Sequence, residues 1–80
     1  MERTEDEVLA GLAEIIADEM GCPAEAVRAD STLVDDLEID WFSRLAIITA
    51  AEDVFGSRVP LADAPTFATV GDLAARFAQE

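Results

Sequence analysis

Apolar side chains in the first twenty residues recur with the period of an α-helix. Val8, Leu12, Ile15, Ile16 and Met20 fall on one stripe, separated by acidic and small residues. Thr4 followed three residues later by Glu7 is a capping-box pair, and Glu5, Asp6 and Glu7 put negative charge at the positive end of the helix dipole. Gly21 and Pro23 stop the pattern. A first helix is therefore expected from about Thr4 to Met20. Between Pro23 and Ile39 the periodicity loosens. Pro23 to Val27 suits about a turn of helix, Asp30, Ser31 and Thr32 are turn formers, and Leu33, Val34, Leu37 and Ile39 read as anchors pinning a long loop to the core. A loop of this length in a compact domain is more often functional than idle.

A second helix is expected to start at the N-cap Asp40 and run to Phe55, with Gly56 as its stop. Leu45, Ile48, Ala51, Glu52 and Phe55 step along one side, Ile47 and Val54 widen the apolar arc, and Trp41 and Phe42 occupy the first turn. Val59-Pro60-Leu61 reads as an extended link. Ala62 to Phe67 contains Pro65 and allows at most one helical turn. Thr69 caps a last helix with Asp72 in the box position, and Val70, Leu73, Ala74 and Phe77 point inward. No alternating strand pattern, repeat or low-complexity tract is present. The predicted fold is all-α: a small up-and-down bundle of three main helices plus one short helix, with a long loop between helices one and two, in a single domain over residues 1–80. The expected core includes Leu12, Ile15, Leu37, Leu45, Ile48, Phe55, Val59, Leu61, Phe67, Val70, Leu73 and Phe77.

Composition narrows the function. Eighty residues allow one small domain, and 51% hydrophobic content is enough to build a core. Eighteen acidic residues against five basic ones give a net charge of −13, with no lysine. That excludes a nucleic-acid interface, which needs a basic face, and disfavours anionic membranes. It favours steering toward basic patches on partner proteins. Without histidine, His-based catalysis and His-ligated metals are out of reach, and the single Cys22 cannot form an internal disulfide. Cys22 reads as a small apolar residue. The acidic segment from Met1 to Glu7 is unlike a signal peptide, and Leu45 to Ala51 is too short to span a bilayer. A cytoplasmic chain is expected.

The acidic groups carry competing readings. Asp35-Asp36, Glu38 and Asp40 lack the mid-loop glycine and terminal glutamate of a calcium loop, so no dedicated metal site is expected. Paired carboxylates without a nucleophile or histidine do not make an enzyme. Arg44 is expected to add a positive charge to the surface of the second turn. Trp41 with Phe42 is either an idle exposed pair or an apolar patch for a partner or a second copy.

Leu33-Val34-Asp35-Asp36-Leu37-Glu38-Ile39-Asp40 resembles the loop leading into the second helix of acyl carrier proteins. Glu52-Asp53-Val54-Phe55-Gly56 resembles the end of that helix, and Val59-Pro60 and Thr69-Val70-Gly71-Asp72-Leu73 are similar to later landmarks. The likeness spans the chain in order and is closest to discrete carriers of actinobacterial fatty-acid and polyketide systems. It implies presentation of acyl intermediates to synthases, reductases and transferases with basic docking surfaces, through Asp35, Asp36, Asp40, Glu52 and Asp53 clustered around the entry to helix two, by a monomeric, non-enzymatic protein whose partners do the chemistry. It also implies 4′-phosphopantetheine, installed by a phosphopantetheinyl transferase on a serine opening helix two, and an acyl cavity between helices two and three that Trp41 could cover. Here the motif is Asp40-Trp41-Phe42, so tryptophan stands where serine is expected and the arm should be absent. Ser43 is a poor substitute, because the family interval of about fourteen residues to the phenylalanine before the glycine runs from Trp41 to Phe55. A shift of two positions also turns a helical residue by about 200°. Two origins fit: a substitution in an otherwise loadable carrier, favoured by the well-kept surrounding motif, or a divergent natural homologue that has lost the carrier role or works without the arm. Ala46, where the family commonly has glutamate, and Arg44, with its positive charge in the second turn, weaken that docking surface and bear on which partners recognise the chain. The competing expectation is a non-carrier interaction module anchored by Trp41 and Phe42.

Overall fold

The computed structural model describes residues 4–79; Met1 to Arg3, where the comparison with a signal peptide begins, lie outside the described residues. Three α-helices form in the expected places: α1, Glu5–Met20; α2, Trp41–Phe55; and α3, Val70–Ala78. Thr4 and Thr69 complete reciprocal capping boxes with Glu7 and Asp72, and Asp40 caps α2. Gly21 and Gly56 end α1 and α2 in the left-handed region. Two short 3-10 segments, Ala24–Ala26 and Leu61–Thr66, lie in the connections. The second is longer than the single turn expected, and it begins at Leu61, inside the expected extended link. Pro65 is accommodated there despite its missing N–H.

Both α2 and α3 pack on α1. Val8, Leu12 and Ile16 of α1 meet Ile47, Ile48 and Ala51 of α2 and Val70, Leu73, Ala74 and Phe77 of α3 in one buried core. The rings of Phe55 and Phe77 approach to 5.6 Å, tilted by 42°, and tie the C-terminal end of α2 to α3. Ile15, Leu37, Leu45 and Phe55 are half-buried around that core.

The long loop is stitched to the chain that leads into α3. Gly71 N–H donates to Ala29 O at 2.8 Å, Val70 N–H to Ser31 O at 3.0 Å and Leu33 N–H to Ala68 O at 2.9 Å. An isolated antiparallel bridge pairs Thr32 with Thr69. Leu33 and Ile39 are buried, as anchors should be. Val34 is not an anchor: it is 61% exposed. Val54 and Leu61, expected on the apolar arc and in the core, are 63% and 67% exposed. Val54 follows Asp53 on the outer side of α2, and Leu61 starts a 3-10 segment whose buried residue is Ala64. No helix among the described residues is long and apolar enough to cross a membrane.

Candidate functional site: the N-terminus of α2

The loop sets the entrance to α2. Thr32 and Asp36 exchange hydrogen bonds: Thr32 N–H donates to Asp36 Oδ2 and Asp36 N–H to Thr32 Oγ1, both at 2.9 Å. Ile39 N–H then donates to Leu33 O at 2.8 Å, which folds the loop back on itself. Glu38 takes φ 54°, a left-handed conformation uncommon for a side chain larger than asparagine, and the turn it makes delivers Ile39 to the core and Asp40 to the cap.

Asp40 Oδ1 accepts the Ser43 amide at 2.7 Å, and Asp40 O accepts the Arg44 amide at 2.9 Å to begin the helix. The Ser43 backbone hydrogen bond, helped by the Ser43 side chain, holds the Asp40 carboxyl below the usual carboxylate range. With Ser43 N–H satisfied by the cap, the Trp41 and Phe42 amides remain as the first helical donors without intrahelical acceptors. Such a terminus favours an anion. The side chains it presents are aromatic: Trp41 is 43% exposed and Phe42 81% exposed.

The expected docking carboxylates fall into two groups rather than one cluster. Asp35, Asp36 and Asp40 surround the start of α2, all exposed. Glu52 and Asp53 lie at its far end, about 20 Å away at 1.5 Å per residue. Asp53 is exposed, whereas Glu52 is half-buried and its Oε2 accepts the Val59 amide at 2.7 Å. Glu52 thus also secures the turn after α2. Between the two groups runs an outer stripe of Phe42, Ala46, Thr49 and Asp53, at helical spacing and all exposed, that carries no acid until its last member. Thr49, Glu52, Asp53 and Arg58 line an open concavity of about 240 Å³. Among the described residues no three cysteine or acidic side chains converge to hold a metal ion.

Arg44 corrects the sequence reading most sharply. It was expected on the surface; instead it is 8% exposed, and its Nη1 donates to Ala64 O at 2.8 Å and Phe67 O at 2.9 Å. A signal was available, because Arg44 lies in phase with Ile47, Ile48 and Ala51, which are all buried. Charge alone concealed it.

Comparison with known proteins adds an independent line. The family model described as "Phosphopantetheine attachment site" matches residues 10–77. An acyl carrier protein of Kineococcus radiotolerans is 43% identical over 76 residues, covering 95% of this chain and 94% of that protein. A meromycolate extension acyl carrier protein of Mycolicibacterium smegmatis is 40% identical over 75 residues, covering 94% of this chain and 76% of its own. Among solved structures, an acyl carrier protein of Enterococcus faecalis superposes with a TM-score of 0.77 at 30% identity, over 95% of this chain and 96% of that one.

Proposed function

The chain belongs to the acyl carrier protein family, and from that premise we propose that it is a single carrier-type domain of fatty-acid or polyketide synthesis that keeps its docking surface and has a blocked attachment position. Its partners are acyl-processing enzymes (synthases, reductases or transferases) with basic docking surfaces, which it meets as a monomer in the cytoplasm. The net charge of −13 steers it to them. Asp35, Asp36 and Asp40 at one end of α2, and Glu52 and Asp53 at the other, face their cations. Trp41 and Phe42 add the apolar contact that interfaces concentrate on aromatic side chains. The chain performs no catalysis of its own.

The observation that carries this reading is the place of Trp41, the first residue of α2 directly after the Asp40 cap. The resemblance puts the serine that bears 4′-phosphopantetheine there. Attachment needs a hydroxyl, and indole has none. Ser43 lies two positions on, about 200° around the helix, and is half-buried with its amide committed to Asp40. The arm does not fit these residues, and no step through it is assigned to this chain.

Incubation with coenzyme A and a phosphopantetheinyl transferase, followed by intact-mass measurement, tests the reading. The expected result is an unchanged mass for this chain and the gain of one arm for Trp41→Ser. A gain on the unsubstituted chain that Ser43→Ala abolishes would overturn the register. Trp41→Ser that stays unmodified would remove position 41 as the attachment point.

The exposure of Phe42 favours one second reading, a non-carrier interaction module in which Trp41 and Phe42 anchor a partner or a second copy. Sedimentation at several concentrations separates the two. A dimer that Trp41→Ser dissolves favours the module, and a strict monomer for both chains removes self-association.

A further inference from the structure

At the entrance to α2 an apolar centre sits inside an acidic rim. Trp41 is 43% and Phe42 81% exposed, and Asp35, Asp36 and Asp40, all exposed, precede them in the loop and the cap. Protein interfaces share this anatomy: aromatic anchors exclude water at the middle, and charges at the edge guide the encounter. The hydrogen bonds that build the entrance leave the Trp41 side chain out. The cap rests on Asp40 and the Ser43 amide, and the loop on Thr32 with Asp36 and on Ile39 with Leu33. The indole is a contact surface added to a scaffold that is complete without it.

We propose that this chain is a competitor of loadable carriers: it occupies a phosphopantetheinyl transferase through the entrance to α2, is not modified there, and is held longer by Trp41 than a serine would hold it. The inference rests on the carrier reading above and adds a regulatory role to it. The physical reason is a division between charge and apolar surface. Charge governs arrival: a net −13 steers the chain to a basic surface just as it steers the same chain with serine at position 41. Apolar burial at the centre governs departure, because affinity differences between related complexes reside mostly in the dissociation rate. A serine buries little apolar area, whereas an indole buries among the largest areas of any side chain. With no hydroxyl at position 41, no reaction follows docking. A bound chain therefore withholds the enzyme until it dissociates.

The test is the rate at which a phosphopantetheinyl transferase loads the Trp41→Ser chain from coenzyme A, read by intact mass, while the unsubstituted chain is added. The unsubstituted chain should raise the apparent KM for Trp41→Ser and leave kcat unchanged, with an inhibition constant below that KM. Trp41→Ala, equally unable to load, should inhibit about fivefold more weakly or worse, the loss that truncating a central aromatic anchor produces. Val54→Ala trims another exposed apolar side chain, about 20 Å away along α2, and should inhibit as the unsubstituted chain does. Loading that proceeds undisturbed with the unsubstituted chain in large excess over that KM overturns the competitor, and so does a fall in kcat at unchanged KM. Equal inhibition by Trp41→Ala, or an equal loss in Val54→Ala, overturns the hold assigned to Trp41. A Trp41→Ser chain that never loads removes the carrier reading and this inference with it, so the two failures are told apart.

Discussion

Gly71 donates its amide to the carbonyl oxygen of Ala29 at 2.8 Å, and a Cβ added at Gly71 would sit 2.9 Å from that same oxygen. The contact joins the long loop to the first turn of α3, so neither backbone can yield without loosening the stitches on either side of it. Gly71→Ala should therefore destabilise by about 1–3 kcal/mol as an overpacking change, although alanine is the better helix former by about 1 kcal/mol. Gly11 is the useful contrast. Its added Cβ would meet the tip of the Phe55 ring at 2.8 Å, a side chain that can tilt. Urea unfolding of both variants should show the larger loss for Gly71→Ala, and the reverse order would mean that the loop stitch is soft.

Asp40 and Asp72 should make the fold acid-sensitive. Backbone hydrogen bonds from Ser43 to Asp40, and from Ala68 and Thr69 to Asp72, hold both carboxyls below their ordinary 3.8. A carboxyl lowered in the folded state adds stability that is fully present above its unfolded value and is lost as pH falls through the folded one. Asp40→Asn keeps a side-chain cap but removes the titration. Its deficit relative to the unmodified chain should be constant at neutral pH and should shrink below about pH 4. Chemical unfolding at pH 7, 5, 4 and 3 measures the difference, and a deficit independent of pH would show that the charge on the cap contributes nothing.

Glu52 combines an expected docking charge with a structural bond to Val59, and the two roles separate by substitution. Glu52→Ala should cost about 1–3 kcal/mol because the half-buried Val59 amide loses its acceptor. Glu52→Gln keeps an oxygen there and should cost less than about 1 kcal/mol while removing the charge. Thermal melts read the first effect. Binding to a basic partner surface, at constant fold, reads the second.

A net charge of −13 on eighty residues should repel itself. Added salt screens it over a Debye length of about 10 Å at 0.1 M. The melting temperature should rise from low to moderate ionic strength. Coincident melts would show that the acidic groups are already compensated, for example by bound cations.

The helices were legible because their ends are written locally. Thr4 with Glu7, Asp40 and Thr69 with Asp72 satisfy backbone donors within three residues, and Gly21 and Gly56 take the left-handed turn, so each boundary follows from a few neighbours. The position of Trp41 directly after the Asp40 cap was legible for the same reason. Less was visible in the connections. Val34 reads as an anchor in sequence, yet the hydrogen bonds between Thr32 and Asp36 shape a turn that buries Leu33 and leaves Val34 in water.

Local chemistry by itself determined where α1, α2 and α3 begin and end, because caps and periodicity act over one or two turns. Only the tertiary structure decided that Arg44 goes inward and that Leu61 stays out. Those outcomes depend on partners far along the chain, such as the carbonyls of Ala64 and Phe67 that receive the Arg44 guanidinium. Whether a charge can afford burial is set by such distant donors and acceptors, which no short window of sequence contains.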